Sequence, residues 1–301
     1  MNSTPLDAAW MNRRLSALSA AVAAWVCLFA LGACTPTDPI VPTNLNPEPA
    51  AAGDVDLPDY ADLVARYNAQ GPSLERVWAR TKVEMRWRDE KDRKRRESGD
   101  GRLIFERPLN TAWTVEVLGD VKLWAGSNSF GFWLFDRLEG GQAYYGAYNR
   151  PLARALPLPV QPEAVPFLLG MVELDPGDRP AEPAVEAFNG YWVIEPPGLN
   201  LRMMLDPQTA RPVRIDLTDA QGQSVLVCRL SGEVTVERDG QDAVTLAKKA
   251  ELFPLGSESR MTVTLKRPST DETKFKRKLF NFNKLSKSLK PDEVVNLNEP
   301  G

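Results

Sequence analysis

Few side chains in this sequence could carry out catalysis or bind a metal ion. Histidine is absent, and cysteine occurs three times, as Cys27, Cys34 and Cys228. The absence of histidine excludes Ser-His-Asp and Cys-His nucleophile systems and His-ligated zinc, and the three cysteines lack metal-ligand spacing. Asp136 and Glu139 closely follow an aromatic strand and could flank a sugar, but carboxylates close together in a turn are common. We therefore predict no enzyme activity, no catalytic residue, no metal site and no cofactor.

Cys34 lies in a sequence pattern that predicts its covalent modification. Residues 13–34 read RRLSALSAAVAAWVCLFALGAC, which is two arginines, an apolar run and a small-residue ending. This pattern is typical of a secretion signal. The ending LGAC resembles the lipobox of bacterial lipoproteins, and the resemblance implies cleavage before Cys34 and lipidation of that cysteine. Residues 1–33 are therefore predicted to be a signal peptide, and the protein is predicted to be membrane-anchored through lipid on Cys34.

The same apolar run leaves two points open. Residues 15–33 are barely long enough to cross a bilayer, so an uncleaved membrane anchor is the alternative. Translation could start at Met1 or at Met11, which gives a more ordinary short basic start. Each alternative places the body in the cell envelope, outside the cytoplasm. Thr35 stands where aspartate signals inner-membrane retention in some bacteria, so we expect the outer membrane, facing the periplasm, to hold the anchor.

The segment after Cys34 is predicted to be a disordered tether. Residues 34–58 are rich in Pro, Asn and Ala and show no apolar periodicity. The whole chain has 37 basic and 40 acidic residues, a formal net charge of −3, which gives no reason to expect a nucleic-acid partner. Cys228 lies in the apolar setting SVLVCRL and is predicted to be a buried free thiol.

Beyond the tether, the apolar pattern predicts one helix and then a long series of strands. A helical face begins after Asp59, and Gly71-Pro72 ends the helix. The period changes to two in residues 77–88 and again in later runs, which turn signals such as ESGDG, DAQGQ and ERDGQ separate. We predict about ten or eleven antiparallel strands, with a second helical segment at residues 162–174. The predicted helical face comprises Tyr60, Leu63, Val64 and Tyr67.

Large rings lie among glycines in residues 122–146, KLWAGSNSFGFWLFDRLEGGQAYYG. Such a cluster is an ordinary core, a stacking platform for sugars or bases, or the lining of an apolar cavity. Glycines allow a sheet to bend or turn without side-chain clashes. We expect alternate residues of this strand to line the inside, and Trp133 and Phe135 to pack beneath a helix or at the rim.

The order of these elements resembles the LolA/LolB-type lipoprotein carrier family. A helix precedes antiparallel strands, then a helical segment after LPLP, then strands reading YWVIEPP, LRMMLDPQTARPVRIDLTDAQGQ and RMTVTLKRP. The resemblance covers residues 59–267 and implies a mainly β half-barrel domain. Its sheet would be strongly bent and antiparallel, an incomplete β-barrel lidded by short α-helices. Residues 268–301 follow as a basic C-terminal tail.

The family resemblance also implies that the apolar face of the sheet receives acyl chains. We therefore predict a carrier or acceptor that binds the acyl chains of a lipid or lipidated protein in an apolar cavity. The alternative is a filled core in a non-enzymatic envelope scaffold that binds a protein partner through its surface. The residues assigned to acyl contact are Val83, Met85, Phe105, Trp113, Val115, Leu123, Phe130, Phe132 and Leu134.

Two charged runs have alternative interpretations. The run RWRDEKDRKRRESGDG at residues 86–101 is typical of a solvated hairpin tip. The less favoured alternative is a patch that meets anionic lipid head groups or a polyanionic envelope polymer. Near the C-terminus, basic residues are interleaved with Phe275, Phe280 and Phe282. That segment either lies on a membrane interface or folds back on the sheet.

Overall fold

The computed structural model describes residues 44–49, 56–89, 91–138, 141–148, 162–177, 184–238 and 240–298. The predicted signal peptide, Cys34 and most of the predicted tether lie outside these residues. The described part is mainly β, with one large open curved sheet and a few short helices, as predicted. No helix within it has both the length and the apolar character needed to cross a membrane.

Fourteen strands form the sheet within the described residues, more than the ten or eleven predicted. Three short helices, α1 (Tyr60–Asn68), α2 (Val165–Leu168) and α3 (Phe282–Leu289), accompany it. The strands are β1 (Arg76–Arg88), β2 (Lys94–Glu106), β3 (Asn110–Val117), β4 (Asp120–Asn128), β5 (Gly131–Asp136), β6 (Gln142–Gly146), β7 (Glu186–Phe188), β8 (Tyr191–Ile194), β9 (Leu201–Leu205), β10 (Pro212–Thr218), β11 (Ser224–Arg238), β12 (Gln241–Pro254), β13 (Arg260–Ser269) and β14 (Glu293–Asn296).

The sheet consists of two meanders joined side by side. Its strand order is β14-β6-β5-β4-β3-β2-β1-β13-β12-β11-β10-β9-β8-β7. Each strand pairs antiparallel with its neighbour, except that β14 lies parallel to β6. The two halves meet where β1 pairs with β13, with Thr81 opposite Leu265. The first strand, β1, and a strand late in the chain, β13, therefore lie side by side in the middle of the sheet.

Strand β1 shows why this sequence forms a two-faced sheet. Val77 and Val83 are fully buried, whereas Arg80 and Lys82 between them are exposed. Because side chains alternate across a strand, the apolar series faces one side. We call that side, which packs against α1 and residues 162–174, the inner face; the opposite side is the outer face.

Helix α1 forms where the sequence predicts it. Asp59 caps its N-terminus by accepting a hydrogen bond from the backbone N–H of Ala61 at 2.9 Å. The four residues of the predicted helical face are the buried residues of this helix, and they join the inner core. The helix ends at Asn68, and a single 3₁₀ turn at Gly71–Ser73 leads into β1.

The second predicted helical segment is largely irregular. We call residues 162–174 the covering segment; it contains a 3₁₀ turn at Pro162–Ala164 and the single-turn helix α2. Gly170 follows with a φ of +66°, a conformation that favours glycine. Leu168, Leu169 and Met171 are buried against the inner face.

The C-terminal segment, residues 270–298, folds back on the outer face. Phe282 of α3 stacks on Phe135 with 5.5 Å between ring centroids, and its ring lies 4.7 Å from that of Tyr145. Trp133 belongs to the same outer cluster, together with the buried residues Phe280 and Leu285. Trp133 and Phe135 thus pack beneath a helix, as predicted, and β14 then extends the sheet beside β6.

The charged hairpin tip between β1 and β2 contains several ion pairs of its own. The Asp89 carboxylate accepts hydrogen bonds from the side chains of Arg93 and Arg95 at 2.9 Å each. The side-chain and backbone bonds from Arg93, with those from Arg95 and Lys91, hold the pKa of Asp89 well below its usual range. Most of the tip is exposed, as predicted for a solvated hairpin.

Two described pieces of the predicted tether contact the body. The Tyr191 hydroxyl donates to the backbone carbonyl of Glu48 at 2.8 Å, and the Trp192 indole N–H donates to that of Asp56 at 3.1 Å. The Arg214 guanidinium also donates to the side-chain oxygen of Asn46. These contacts place parts of residues 44–58 beside β8 and β10.

Candidate functional site

The inner face collects most of the residues assigned to acyl contact from the sequence. Seven of them are at most 2% exposed and belong to one continuous apolar core with α1 and the covering segment. They come from β1 to β5, so neighbouring strands bring together residues that are far apart in the chain. These seven are Val83, Met85, Phe105, Trp113, Val115, Leu123 and Leu134.

The remaining two assigned residues lie elsewhere. Phe130 is 89% exposed, so its assignment to the interior is wrong. The chain turns at Ser129 and Phe130 between β4 and β5, and the alternation of β5 begins at Gly131. Phe132 is 1% exposed and shares the strand phase of Leu134, but it does not line the cavity described below.

The glycines among the aromatic rings have a packing role at Gly126. Gly126 lies opposite Trp133 in the pairing of β4 with β5. A Cβ atom at Gly126 would lie 2.5 Å from the indole ring of Trp133. Glycine is therefore required here so that the indole can lie across the neighbouring strand.

An apolar cavity lies between the inner face and the covering segment. Its volume is about 20 Å³. Of the residues assigned to acyl contact from the sequence, Trp113 is the one that lines this cavity. The cavity is lined by Leu103, Trp113, Val165, Leu168, Leu169, Ala250, Leu252 and Val263.

The size of this cavity limits what it holds. A single water requires roughly 10–15 Å³, and a cavity that takes up benzene is roughly 150 Å³. At about 20 Å³, the space has room for about one water molecule and none for an acyl chain. The interior is therefore close to filled in this conformation, and a long ligand requires the covering segment to move.

Polar contacts near the cavity are few and local. The Trp113 indole N–H donates to the Thr81 hydroxyl at 3.4 Å, which satisfies the polar atom of a large ring in an apolar wall. The Cys228 thiol donates to the backbone carbonyl of Leu168 at 3.4 Å. Burial raises the pKa of the Cys228 thiol, so it stays protonated. As predicted from the sequence, Cys228 is free and buried.

Helix α1 holds the far end of the covering segment. The Tyr67 hydroxyl donates to the Val172 carbonyl at 2.9 Å, and burial raises the pKa of that hydroxyl. The Asn68 side chain donates to the Leu174 carbonyl at 2.7 Å and accepts from the Leu174 N–H at 3.0 Å. The segment is thus fastened beyond Gly170 by these three hydrogen bonds and by the ion pair of Arg107 with Glu173 at 2.8 Å, while residues 165–169 rest on apolar contacts and the weak thiol bond.

A close backbone approach occurs where α1 leads into the sheet. A Cβ atom at Gly71 would lie 2.6 Å from the carbonyl oxygen of Gly170 and 2.9 Å from the Leu246 side chain. Only glycine at position 71 lets the covering segment settle at this depth.

A groove lies next to the cavity and shares one wall with it. Its volume is about 420 Å³, and Gln70, Leu169, Pro212 and Leu246 are among its lining residues. Leu169 is 6% exposed and lines both spaces. Leu169 is the one lining residue that the groove and the apolar cavity share.

The outer part of the groove is polar. The Arg211 guanidinium pairs with the Glu233 carboxylate at 2.5 Å. The backbone carbonyl of Gln208, another groove residue, accepts from the Arg66 guanidinium at 3.1 Å. The groove thus combines charged residues with the apolar side chain of Leu169.

Several cavity residues were not assigned from the sequence. Ala250 and Leu252 lie on β12, and Leu168 and Leu169 lie on the covering segment. A usable signal existed for the covering segment, since FLLG in residues 167–170 is its most apolar part. No signal exists for Ala250, because its position opposite the segment depends on the pairing of distant strands.

Comparison with known proteins establishes the fold. No protein-family model and no curated protein matches the sequence. Among solved structures, a DUF1329 family protein from Desulfovibrio piger superposes with a TM-score of 0.51 at 11% identity, covering 74% of this chain and 96% of that one. A LolA superfamily protein from Nitrosomonas europaea gives 0.50 at 10% identity, covering 75% and 99%. The chain has a LolA-like fold, which confirms the resemblance predicted from the order of its elements.

Proposed function

We propose that this protein is a non-enzymatic envelope lipoprotein that binds acyl chains between the inner face and the covering segment. The observation that carries the proposal is the wholly apolar cavity beneath α2, in a fold of the LolA type. The ligand is an acyl chain of a lipid or of a lipidated protein. Apolar contact alone suffices for such binding, and no reacting group is needed.

Hydrophobic burial supplies the free energy for this role. Each methylene removed from water contributes about 0.8 kcal/mol. Burial of a long acyl chain therefore contributes far more binding free energy than the displacement of a few side chains costs. The cost is paid where the covering segment leaves the sheet. The most weakly held part of the covering segment, residues 165–169, lies directly over the cavity. The acyl chain would displace this part and leave the hydrogen bonds of Tyr67 and Asn68 in place.

The groove provides the route of entry in this proposal. An acyl chain that enters along the groove meets Leu169 before the cavity. Rotation of this one side chain joins the two spaces. The polar mouth beside Arg211 would remain in contact with the head group or with the attached protein.

Replacement of Leu169 by alanine tests the proposal. Leu169→Ala removes the wall between groove and cavity, and we expect it to lower the Kd of a fluorescent fatty acid about tenfold, the factor that corresponds to 1.4 kcal/mol. Leu226→Ala is the matched control, because Leu226 is buried in the same core without lining either space. Both substitutions should lower stability, but only the first should change fatty-acid affinity.

A filled interior is the specific observation that favours a second function. The cavity volume of about 20 Å³ suits a non-enzymatic scaffold that binds an envelope protein through its surface. Native mass spectrometry of the protein purified from membranes distinguishes the two functions. Bound lipid, with a thermal midpoint raised by added fatty acid, supports the carrier. Protein that never carries lipid, with a Leu169→Ala variant that binds none, supports the scaffold.

Anchoring through Cys34 belongs to the same proposal. The support is the LGAC ending after the apolar run. A lipid anchor on Cys34 in the outer membrane would hold the body at the periplasmic surface. The described residues begin at Asn44, so the anchor would lie only a short length of chain from the first contacts with the body.

A further inference from the structure

The C-terminal segment carries an unusual concentration of positive charge. Between Thr273 and Pro291 the sequence contains basic residues and no acidic residue, in a chain whose formal net charge is −3. Like charges at this density repel one another unless a partner neutralises them. The basic residues are Lys274, Lys276, Arg277, Lys278, Lys284, Lys287 and Lys290.

The fold sorts this segment into an apolar side and a basic side. Its apolar residues pack on the outer cluster of the sheet, with Phe280 and Leu285 buried. Lys274 is engaged, since it pairs with Asp271 at 3.7 Å and lies 4.6 Å above the Trp78 ring. The other six are exposed, and within the described residues none of them forms an ion pair. We call these six the basic patch: Lys276, Arg277, Lys278, Lys284, Lys287 and Lys290.

The contrast with the other charged run is informative. At the hairpin tip, Asp89 forms ion pairs with Arg93 and Arg95 at 2.8 Å each. The six residues of the basic patch have no such ion pairs within the described residues, so their charge is open to an external anionic surface.

An exposed aromatic ring lies beside the basic patch. The Asn128 side chain donates to the carbonyl of Phe280 at 3.0 Å, and it accepts from the Phe130 N–H at 2.8 Å. Asn128 thus ties the turn between β4 and β5 to the 3₁₀ turn Arg277–Phe280. Phe130 is 89% exposed, so a bare phenyl ring stands at the turn that Asn128 ties to the end of the Arg277–Phe280 turn.

We infer that the basic patch and Phe130 together dock on an anionic lipid bilayer. Lys and Arg near an anionic leaflet gain electrostatic attraction, while an adjacent aromatic ring enters the head-group region. A single-stranded nucleic acid fits less well, because successive bases stack on several exposed rings, whereas Phe280 and Phe282 pack on the outer cluster and leave Phe130 as the exposed ring of this region. This inference is independent of acyl binding in the interior.

A fluorescent reporter at position 130 tests the docking. The full chain would carry Cys27→Ser, Cys34→Ser and Phe130→Cys, labelled with NBD; Cys228 is buried and stays unlabelled. The control carries Leu118→Cys instead, since Leu118 is 101% exposed at the opposite end of β4. Because the label reports its own surroundings, attachment of the chain through its N-terminal apolar run does not affect the comparison.

Vesicles of phosphatidylcholine with and without phosphatidylglycerol give the decisive comparison. With the anionic vesicles, we expect a blue shift and a several-fold rise in NBD emission at position 130 and neither at position 118. Lys276→Gln with Arg277→Gln and Lys278→Gln should abolish the response. High salt should weaken it, because exposed charges are screened.

Three outcomes would overturn the inference. The first is an equal response with vesicles that lack phosphatidylglycerol. The second is a response at position 118 without one at position 130. The third is tight, patch-dependent binding of soluble poly-glutamate with no response to vesicles, which would assign the surface to an acidic protein partner. Unchanged thermal midpoints in the glutamine variants exclude misfolding as the cause of any loss.

Discussion

At the scale of single residues, Cys228 and Gly71 report on the position of the covering segment. The Cys228 thiol touches the Leu168 carbonyl from the sheet side, and Gly71 touches the Gly170 carbonyl from the helix side. A weak S–H hydrogen bond adds little stability. Its value here is experimental, because a buried protonated thiol reacts only when its cover moves.

Gly71→Ala is expected to expose Cys228. The new Cβ would lie 2.6 Å from the Gly170 oxygen, which no real contact allows, so the covering segment must shift outward. We expect maleimide labelling of Cys228 to accelerate at least several-fold in a chain with Cys27→Ser and Cys34→Ser.

Gly177→Ala serves as the control for this experiment, since its Cβ would meet nothing closer than Asp175 at 3.2 Å. Equal labelling rates in the two variants would show that the segment does not rest on Gly71.

Phe132→Trp distinguishes a packed ring from a ring in a hollow. Phe132 is 1% exposed and lies outside the cavity, so the larger ring must displace its neighbours. We expect a loss of about 1–3 kcal/mol in the free energy of unfolding, measured by urea denaturation. Phe130→Trp should leave stability unchanged, because Phe130 is exposed. An unchanged midpoint for Phe132→Trp would instead reveal free volume beside β5.

At the scale of elements, the C-terminal segment acts as an outer cover for β3 to β6. Helix α3 has only eight residues, and isolated helices of this length are unstable in water. Its stability comes from Phe282 and Leu285, which pack on the outer cluster. The Asn281 side chain supports it by accepting from the Lys284 N–H at 3.0 Å, which caps the helix.

Leu285→Ala measures how firmly this cover is attached. Leu285 is 5% exposed, and truncation of a buried leucine costs about 2–5 kcal/mol. We expect a lower thermal midpoint and faster proteolysis within residues 270–298. Asn283→Ala is the control, since Asn283 is exposed on the same helix. Should both variants melt like the wild type, the segment would contribute nothing to the stability of the sheet.

Helices and strands were predictable wherever apolar residues repeat with one constant spacing, over several turns of a helix or several residues of a strand. Helix α1 follows from four apolar residues on one face, and β1 follows from strict alternation. Strand β14 was not predictable, because EVVN in residues 293–296 is short and lies in a charged tail. The position of α3, and not a turn signal in the sequence, brings β14 beside its parallel partner β6.

The interior was predictable as a set of residues but not as a shape. Alternation identified seven residues of the inner core, such as Val115 and Leu134. The assignment of Phe130 to the interior failed, because alternation of apolar residues does not indicate where a strand begins or ends. The cavity was missed because its wall combines β12 with α2, and their contact depends on strand pairing across the whole sheet.

At the scale of the whole molecule, the proposed lipid anchor on Cys34 would determine where the protein works. Cys34→Ser is expected to abolish lipidation and to prevent cleavage at the lipobox. The measurement is labelling with a palmitate analogue, combined with fractionation of membranes. Labelling of the Cys34→Ser variant would contradict the lipobox interpretation. Cys228→Ser is the control and should label like the wild type, since Cys228 is buried in the body.

The pairing of β1 with β13 has a consequence for how the chain folds. Thr81 pairs with Gly101 on one side and with Leu265 on the other, so β1 hydrogen-bonds to the strand synthesised next and to one synthesised much later. Sheets that depend on such distant pairs fold in milliseconds to seconds. Until β13 arrives, one edge of β1 stays unpaired and can bind other chains. We therefore expect an exported chain to need an escort until β13 has crossed the membrane, and truncations before Arg260 to aggregate.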